Sequence, residues 1–270
     1  QDLNTGIVET LSLDSEKGTD NDLYYPSRIL LQFKDSELIK VLKDEVSGDF
    51  SASLNLYATE FSKNLPVTQV IELYPLSESW DNGTQRYNDH PNFNGITSNG
   101  CSWLYRDNGT TKTSWSTLTD NTTGSFSGSS TPVSGGLWYT GSGFETTQSI
   151  GITNNFDLDF NITDQINKFS SSLYTTETYP NAIPNNGFII LKENDVYNNT
   201  SDQGSLKYFS VDTHTIFSPT LIIKWDDSSY ITSSGATALD SGKIQISINN
   251  NRGEYRQTEE KTFRISSRKQ

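Results

Sequence analysis

The chain has 270 residues, enough for one large domain or one domain with a small appendage. Its 32% hydrophobic content, about 39% with the 19 glycines added, falls below the usual ~45–50%, and no run approaches the ~18 apolar residues of a membrane-spanning helix. A net charge of −13 excludes a surface built to wrap a nucleic acid, while 13 Phe, 13 Tyr and 5 Trp supply burial that a disordered chain lacks.

Taken in order, the segments read as strands. Ile7–Leu13 alternates, Ile29–Phe33 is a short apolar run, and Phe50–Ala58 places Phe50, Ala52, Leu54 and Leu56 on one face. Val67–Pro75, Phe156–Ile162, Gly187–Lys192 and Leu221–Trp225 follow the same period of two, which is the half-buried strand pattern. Clusters of Gly, Asn, Asp, Ser and Pro separate the runs. Short helices are predicted at Ser36–Glu45 and at Thr163–Ser170, the second with Thr163 as its N-cap. Many strands and few helices predict an all-β, antiparallel two-sheet architecture.

Two stretches are polar. Asp107–Gly136, rich in Thr, Ser, Asn and Gly, is expected to form long surface loops with a hairpin. Residues 228–242 read as a linker after a sandwich over 1–227. From Lys243 to Gln270 seven basic and three acidic residues give +4, with alternation at Ile244, Ile246 and Ile248 and a second strand from Lys261 to Ile265. Two strands cannot bury a core of their own, so 243–270 is expected to open a small second β domain or to act as a docking arm through Arg264, Arg268 and Lys269. The chain contains no Met and shows no charged-then-apolar leader, so it is expected to be a processed product or part of a longer chain.

Catalytic constellations are weak. His90 and His214 lie in turn-like polar contexts, and no nucleophile elbow, phosphate loop or dinucleotide fingerprint occurs. Glu78, Asp81 and Asp89 are the candidate paired carboxylates of a glycosidase, at a spacing that 33 acidic residues produce by chance. The single Cys101 excludes an internal disulfide framework. No cofactor is required. Calcium is the candidate metal, because Asp20 and Asp22 crowd oxygens into one loop, as Glu193–Asp195 and Asp226–Asp227 also do. The remaining candidates are aromatic: Trp80, Trp103, Trp115, Trp138 and Tyr139 can stack on a sugar or anchor a partner, with Tyr87 and Tyr105 nearby. Trp115, inside the polar stretch, is expected to lie outside the core, and Trp225 to be structural.

The order of segments resembles the DNRLRE domain. Tyr25-Pro26-Ser27-Arg28-Ile29-Leu30-Leu31-Gln32-Phe33 is similar to its opening strand, and Leu54-Asn55-Leu56-Tyr57 follows. Leu76-Ser77-Glu78-Ser79-Trp80-Asp81-Asn82-Gly83 is similar to its loop around Glu-x-Trp, and Phe156–Asp164 to its strand leading into a short helix. Asn185–Leu191 and Ser218–Trp225 resemble its Asn-Gly-Phe and closing strands. The resemblance implies a jelly-roll sandwich of the carbohydrate-binding-module kind, from which Asp107–Gly136 departs as an insertion, and it carries no catalytic group. The whole chain also resembles virion structural proteins of contractile-tailed phages of marine cyanobacteria. That resemblance implies a non-enzymatic neck, tail or baseplate component of an extracellular particle, contacting other virion proteins and copies of itself, with no nucleic-acid or membrane partner. The alternative it leaves is a carbohydrate-binding module facing a host glycan.

Overall fold

A computed structural model describes residues 4–17, 23–46, 49–62, 65, 68–86, 99–115, 122–126, 132–151, 155–173, 182–193, 195, 201–226, 244–249 and 264–269. The chain divides into two compact units, Gln1–Asp227 and Ser228–Gln270.

Among the described residues the first unit is built of strands with two short helical segments. One sheet has the order β12 (Thr146–Gly151), β7 (Thr68–Pro75), β14 (Phe188–Lys192), β4 (Ile29–Leu31), all antiparallel. The facing strands fall into two three-stranded ladders, β13 (Leu158–Asn161)–β5 (Phe50–Leu56)–β16 (Thr220–Trp225) and β1 (Thr10–Leu13)–β15 (Leu206–Phe209)–β6 (Ala58–Phe61). These ladders act as one sheet. β5 and β6 are successive runs of a single course broken at Tyr57, and the Phe209 amide donates to the Tyr57 carbonyl at 3.0 Å across the break. Their partners β16 and β15 are likewise successive, with the loop 210–219 looping out between them. Across this face the columns run β13, β5–β6, β15–β16, β1.

Period-two alternation puts Leu54 and Leu56, Ile71 and Leu73, Leu158 and Phe160, Phe188 and Ile190, and Leu206 and Tyr208 between the two faces, where all are buried in one cluster. One end of this core is closed by α2 (Thr163–Leu173), whose Ile166 and Phe169 lie on its apolar side with Ile162 just before it. The cap is Asn161 rather than Thr163: its Oδ1 accepts from the Thr163 amide (3.2 Å) and hydroxyl (2.7 Å), and the Thr163 Oγ accepts from the Ala52 amide (2.9 Å). The helix expected at Ser36–Glu45 is α1 (Asp35–Ile39) running into a π-helical turn over Lys40–Glu45, with Leu38 and Leu42 buried.

Side chains stitch the rims of the two faces together. Gln148 on β12 donates from Nε2 to the Asp157 carbonyl (3.0 Å) and accepts from the Asp159 amide at Oε1 (2.7 Å), replacing the backbone partner that the edge strand β13 lacks. On the other rim the Ser27 hydroxyl accepts from the Asp14 amide (2.7 Å) and donates to the Ser12 carbonyl (3.0 Å), tying β1 to the approach to β4.

Strand β14 is buried at all five positions. Phe188 and Ile190 face the core between the sheets, whereas Ile189 and Leu191 belong to a second cluster with Tyr74, Leu76, Trp115 and Trp138, against which Leu30, Trp80 and Cys101 pack. The outer face of the β12–β7–β14–β4 sheet is therefore covered, and the described parts of 76–139 supply the cover. They include two small ladders, β8 (Tyr105–Asp107) with β9 (Thr113–Ser114), and β10 (Thr122–Phe126) with β11 (Pro132–Tyr139). The expected exposed loop over Asp107–Gly136 is thus corrected in part: Asn108 and Trp115 are buried in it. A further ladder pairs β2 (Ser15–Lys17) with β3 (Tyr24–Pro26).

The second unit contains a hairpin of β17 (Ile244–Asn249) and β18 (Arg264–Lys269), in antiparallel register from Ile244↔Lys269 to Asn249↔Arg264. Of the strand expected to start over Lys261–Ile265, residues 261–263 lie outside the described residues, and Arg264 and Ile265 are in β18.

Double-sided burial of β14 has a measurable consequence. Ile190→Ala should cost about 2–5 kcal/mol, as in any packed core, and Ile189→Ala, on the outer face, should cost a similar amount rather than the ~0.5 kcal/mol typical of a surface site. Urea denaturation of the two variants decides it; a near-neutral Ile189→Ala would remove the third layer.

Candidate functional site

Arg28 organises the aromatic layer. Its position just before β4 places the guanidinium between two indoles, 4.6 Å from the centroid of Trp103 and 5.2 Å from that of Trp138. Its Nε donates to Asp195 Oδ2 at 2.8 Å, Nη1 to the Gly135 carbonyl at 2.7 Å, and Nη2 to the Asp195 carbonyl at 3.3 Å. The side chains of Arg28 and Asp195 are 4% and 2% exposed, so the pair is a desolvated ion pair with aromatic walls. Gly135 has φ +86°, and a Cβ there would sit 2.8 Å from Arg28 Nη1 and from the Trp103 ring. The close approach is completed by the Gly135 amide donating to the Trp103 carbonyl at 2.6 Å.

The tryptophans singled out from the sequence divide accordingly. Trp115 is 2% exposed and donates from Nε1 to the Ser102 carbonyl at 3.0 Å, which corrects the expectation that it lies outside the core. Trp138, 8% exposed, packs 5.9 Å from Tyr74. Their burial places both inside the third layer rather than on an open stacking face. Trp103 is half-buried beneath Arg28, and Trp80 is half-buried with its Nε1 donating to the Asn186 carbonyl at 2.9 Å. Tyr139 is half-buried on the opposite side of its strand, stacked 5.5 Å from Phe144, and burial raises its phenol pKa. Trp225, expected to be structural, is exposed at the end of β16.

The oxygen-rich loops resolve differently. Asp195 is committed to Arg28. Asp20, Asp22, Asp89, His90 and Asp227 lie outside the described residues, and among the described residues no group of three or more His, Cys, Asp or Glu is placed to hold a metal ion. Asp81 is an exposed loop residue accepting from the Gly83 amide at 3.3 Å, and His214 is exposed in the loop 210–219. Arg264, Arg268 and Lys269 stand opposite Asn249, Gln245 and Ile244 in the hairpin register.

Four further titrating groups respond to burial. The Cys101 thiol is pushed up to about 12 by desolvation, with Asp81 adding to the rise, so it is a poor nucleophile. Glu72 and Tyr74 are both raised, first by desolvation and then by their carboxylate neighbours, with the Tyr74 hydroxyl donating to Glu72 at 3.3 Å. Lys192, at the end of β14, extends its Nζ to the Gln203 (3.1 Å) and Gly204 (2.6 Å) carbonyls. Desolvation lowers its pKa to about 8 against the pull of Asp14, Asp195 and Asp202. The adjoining cleft, between Asp14, Tyr24 and Lys192, has room for about one water molecule.

Exposed apolar side chains lie elsewhere, in the loop between β15 and β16, at Phe61 on β6 and at Trp225, the far end of β16. Ile216 is 88% exposed and Val211 77%, with Phe61, Phe217 and Trp225 also exposed. Phe217 packs 5.4 Å from Tyr57 and 5.7 Å from Phe209, and Phe61 stacks on Phe156 at 4.2 Å. No periodicity in the sequence marks these side chains, because Val211, Ile216 and Phe217 sit in a short polar-flanked loop; the Ile-Phe dipeptide before Ser218-Pro219 is the local signal.

No protein-family model, no curated protein and no solved structure matches the chain.

Arg28→Met should cost about 3–5 kcal/mol by leaving the Asp195 carboxylate buried alone, and Asp195→Leu a similar amount for the reverse reason. The double variant should cost clearly less than the sum, since no orphaned charge remains; strict additivity in urea denaturation would contradict the coupling. Lys192 gives a pH signature. Its folded pKa, about 8, lies below its ordinary 10.5, so the unfolded state holds more protons between those values and the Lys192 contribution to stability rises with pH across that window. The stability difference, wild type minus Lys192→Met, should therefore climb from pH ~8 to ~10.5, and a flat difference would refute the assignment.

Proposed function

We propose that the chain is a non-enzymatic structural component of a tailed-phage particle, of neck, tail or baseplate, acting through contacts between subunits. The observation that carries this reading is the exposed apolar side chains of Val211, Ile216 and Phe217 in the one short loop between β15 and β16, which a partner-free surface gains nothing from displaying. Charge supports it too. Seven basic and four acidic residues make 228–270 net +3, which leaves −16 on 1–227 of a chain at −13. Two segments of opposite sign favour association between copies and steer it. The phage setting comes from the sequence resemblance, and the jelly-roll assignment draws support from the two four-column antiparallel faces.

The glycan-binding alternative draws on the half-buried rings of Trp80 and Trp103, but burial of Trp115 and Trp138 removes two of its stacking faces. It carries less weight for that reason.

Purified particles should contain this chain at a fixed copy number, measured by quantitative mass spectrometry, and its absence from particles would end the reading. Ile216→Ser with Phe217→Ser should abolish incorporation into particles while leaving the thermal midpoint of the isolated chain within a few degrees, as surface changes of about 0.5 kcal/mol do. Normal incorporation of that variant would dissociate the apolar surface from assembly.

A further inference from the structure

We propose that Asn82 is a site of spontaneous covalent modification, where an amide is converted to a carboxylate at the point that ties segment 4–8 to the outer layer. The Gly83 amide nitrogen attacks the Asn82 side-chain carbonyl carbon. A Gly83 N–Asn82 Cγ bond forms, the Cγ–Nδ2 bond breaks, and the Gly83 amide proton leaves with Nδ2 as ammonia. Water then opens the cyclic imide at one of its two carbonyls, giving aspartate or isoaspartate. Water is the one co-reactant, and no electron is transferred. The chemistry is independent of any particle that the chain joins.

The attack needs a following glycine, because a Cβ there would screen the nitrogen, and it needs a backbone that can bend toward the carbonyl. Three Asn-Gly pairs lie among the described residues, at 82–83, 108–109 and 186–187. Each is preceded by Asp or Asn, and in each the glycine amide donates to that residue's side-chain oxygen. Gly109 donates to Asp107 at 2.8 Å, Gly187 to Asn185 at 3.2 Å, and Gly83 to Asp81 at 3.3 Å. A donated N–H withholds the nucleophile, and only the Gly83 bond exceeds the ordinary range of about 2.7–3.2 Å. The surroundings widen the difference. Asn108 is 1% exposed, and its own amide donates to the Gly100 carbonyl at 3.0 Å. Gly187 is buried at the head of β14, with its carbonyl accepting from the Leu76 amide at 2.9 Å. Asn82 is exposed in a loop.

The modification acts on a tie. Segment 4–8 is held by three bonds: Asn82 Nδ2 to the Gly6 carbonyl at 2.8 Å, the Ile7 amide to the Gln85 carbonyl at 3.3 Å, and Asn4 Nδ2 to the Cys101 carbonyl at 2.8 Å. A carboxylate at 82 has no N–H for Gly6 and sets a charge against its carbonyl. Isoaspartate also adds a methylene to the main chain beside Gly83, where a Cβ would already sit 2.7 Å from Gly100 Cα. The added length has no slack to enter, so the loop shifts and segment 4–8 loosens.

Incubation of the full chain at mildly alkaline pH, folded and in urea, tests this. Trypsin separates residues 82, 108 and 186 into different peptides, and mass spectrometry reads the amide-to-acid gain in each. In the folded chain conversion at Asn82 should run at least about tenfold faster than at Asn108 or Asn186, whose backbones must first open. In urea the three should convert at comparable rates. Hydrogen exchange at the Ile7 amide should quicken at least about tenfold in the converted chain, and also in Asn82→Asp, with β5 and β14 unchanged. Three results would overturn the proposal: Asn82 intact in the folded chain while it converts in urea, conversion at Asn108 or Asn186 as fast as at Asn82, or unaltered Ile7 exchange after conversion.

Discussion

The buried Arg28–Asp195 pair is the constraint on which the outer layer depends. A guanidinium removed from water costs several kcal/mol unless its donors and its charge are met. Here one carboxylate, two carbonyls and two indole faces meet it at once. Those partners come from the turn after β14, from the start of β11's close approach and from the loop carrying Trp103. Each of these segments is tied to the same planar cation. The geometry explains why Gly135 is glycine and why Trp138 and Trp103 both lie against one residue. A lysine, with a compact charge and no planar fork, has no equivalent set of contacts.

The sandwich beneath was largely legible in the sequence because its signal is local. Alternation at Phe50–Ala58, Val67–Pro75 and Gly187–Lys192 marks residues that the structure buries, and the edges differ by a residue or two. What escaped was whatever depends on partners distant in sequence. Strand β12, Thr-Thr-Gln-Ser-Ile-Gly, reads as polar and exposed; it is a strand because Gln148 and Thr146 spend their polar atoms on the backbone near β13. Trp115 sits among Thr, Ser and Lys and reads as a surface ring, yet it is buried because its neighbours in space, not in sequence, are Ile189, Leu191 and Tyr74. Arg28 and Asp195 are separated by 167 residues, and no spacing rule connects them. The five consecutive buried positions of β14 were the one local hint of a third layer, since a strand of a two-layer sandwich is expected to alternate.

The candidate site was legible to a lesser degree, for a physical reason. Aromatic residues serve cores and contact surfaces equally well, so composition names the rings without placing them. Burial then reversed one expectation, taking Trp115 inward, while Trp225 ends β16 as an exposed ring. The surface with the most exposed apolar side chains is built from ordinary aliphatic and phenyl groups in a loop between two runs of one strand column. Such a surface becomes visible only when the column itself is recognised.

The Gln148 stitch carries a consequence for the margins of the sandwich. An amide that occupies the margin of one strand denies that margin to any neighbour, and the Ser27 bridge does the same across the molecule. Along those two borders the sandwich cannot be lengthened strand by strand, so the same side chains that join the two faces also guard their margins against edge-to-edge pairing.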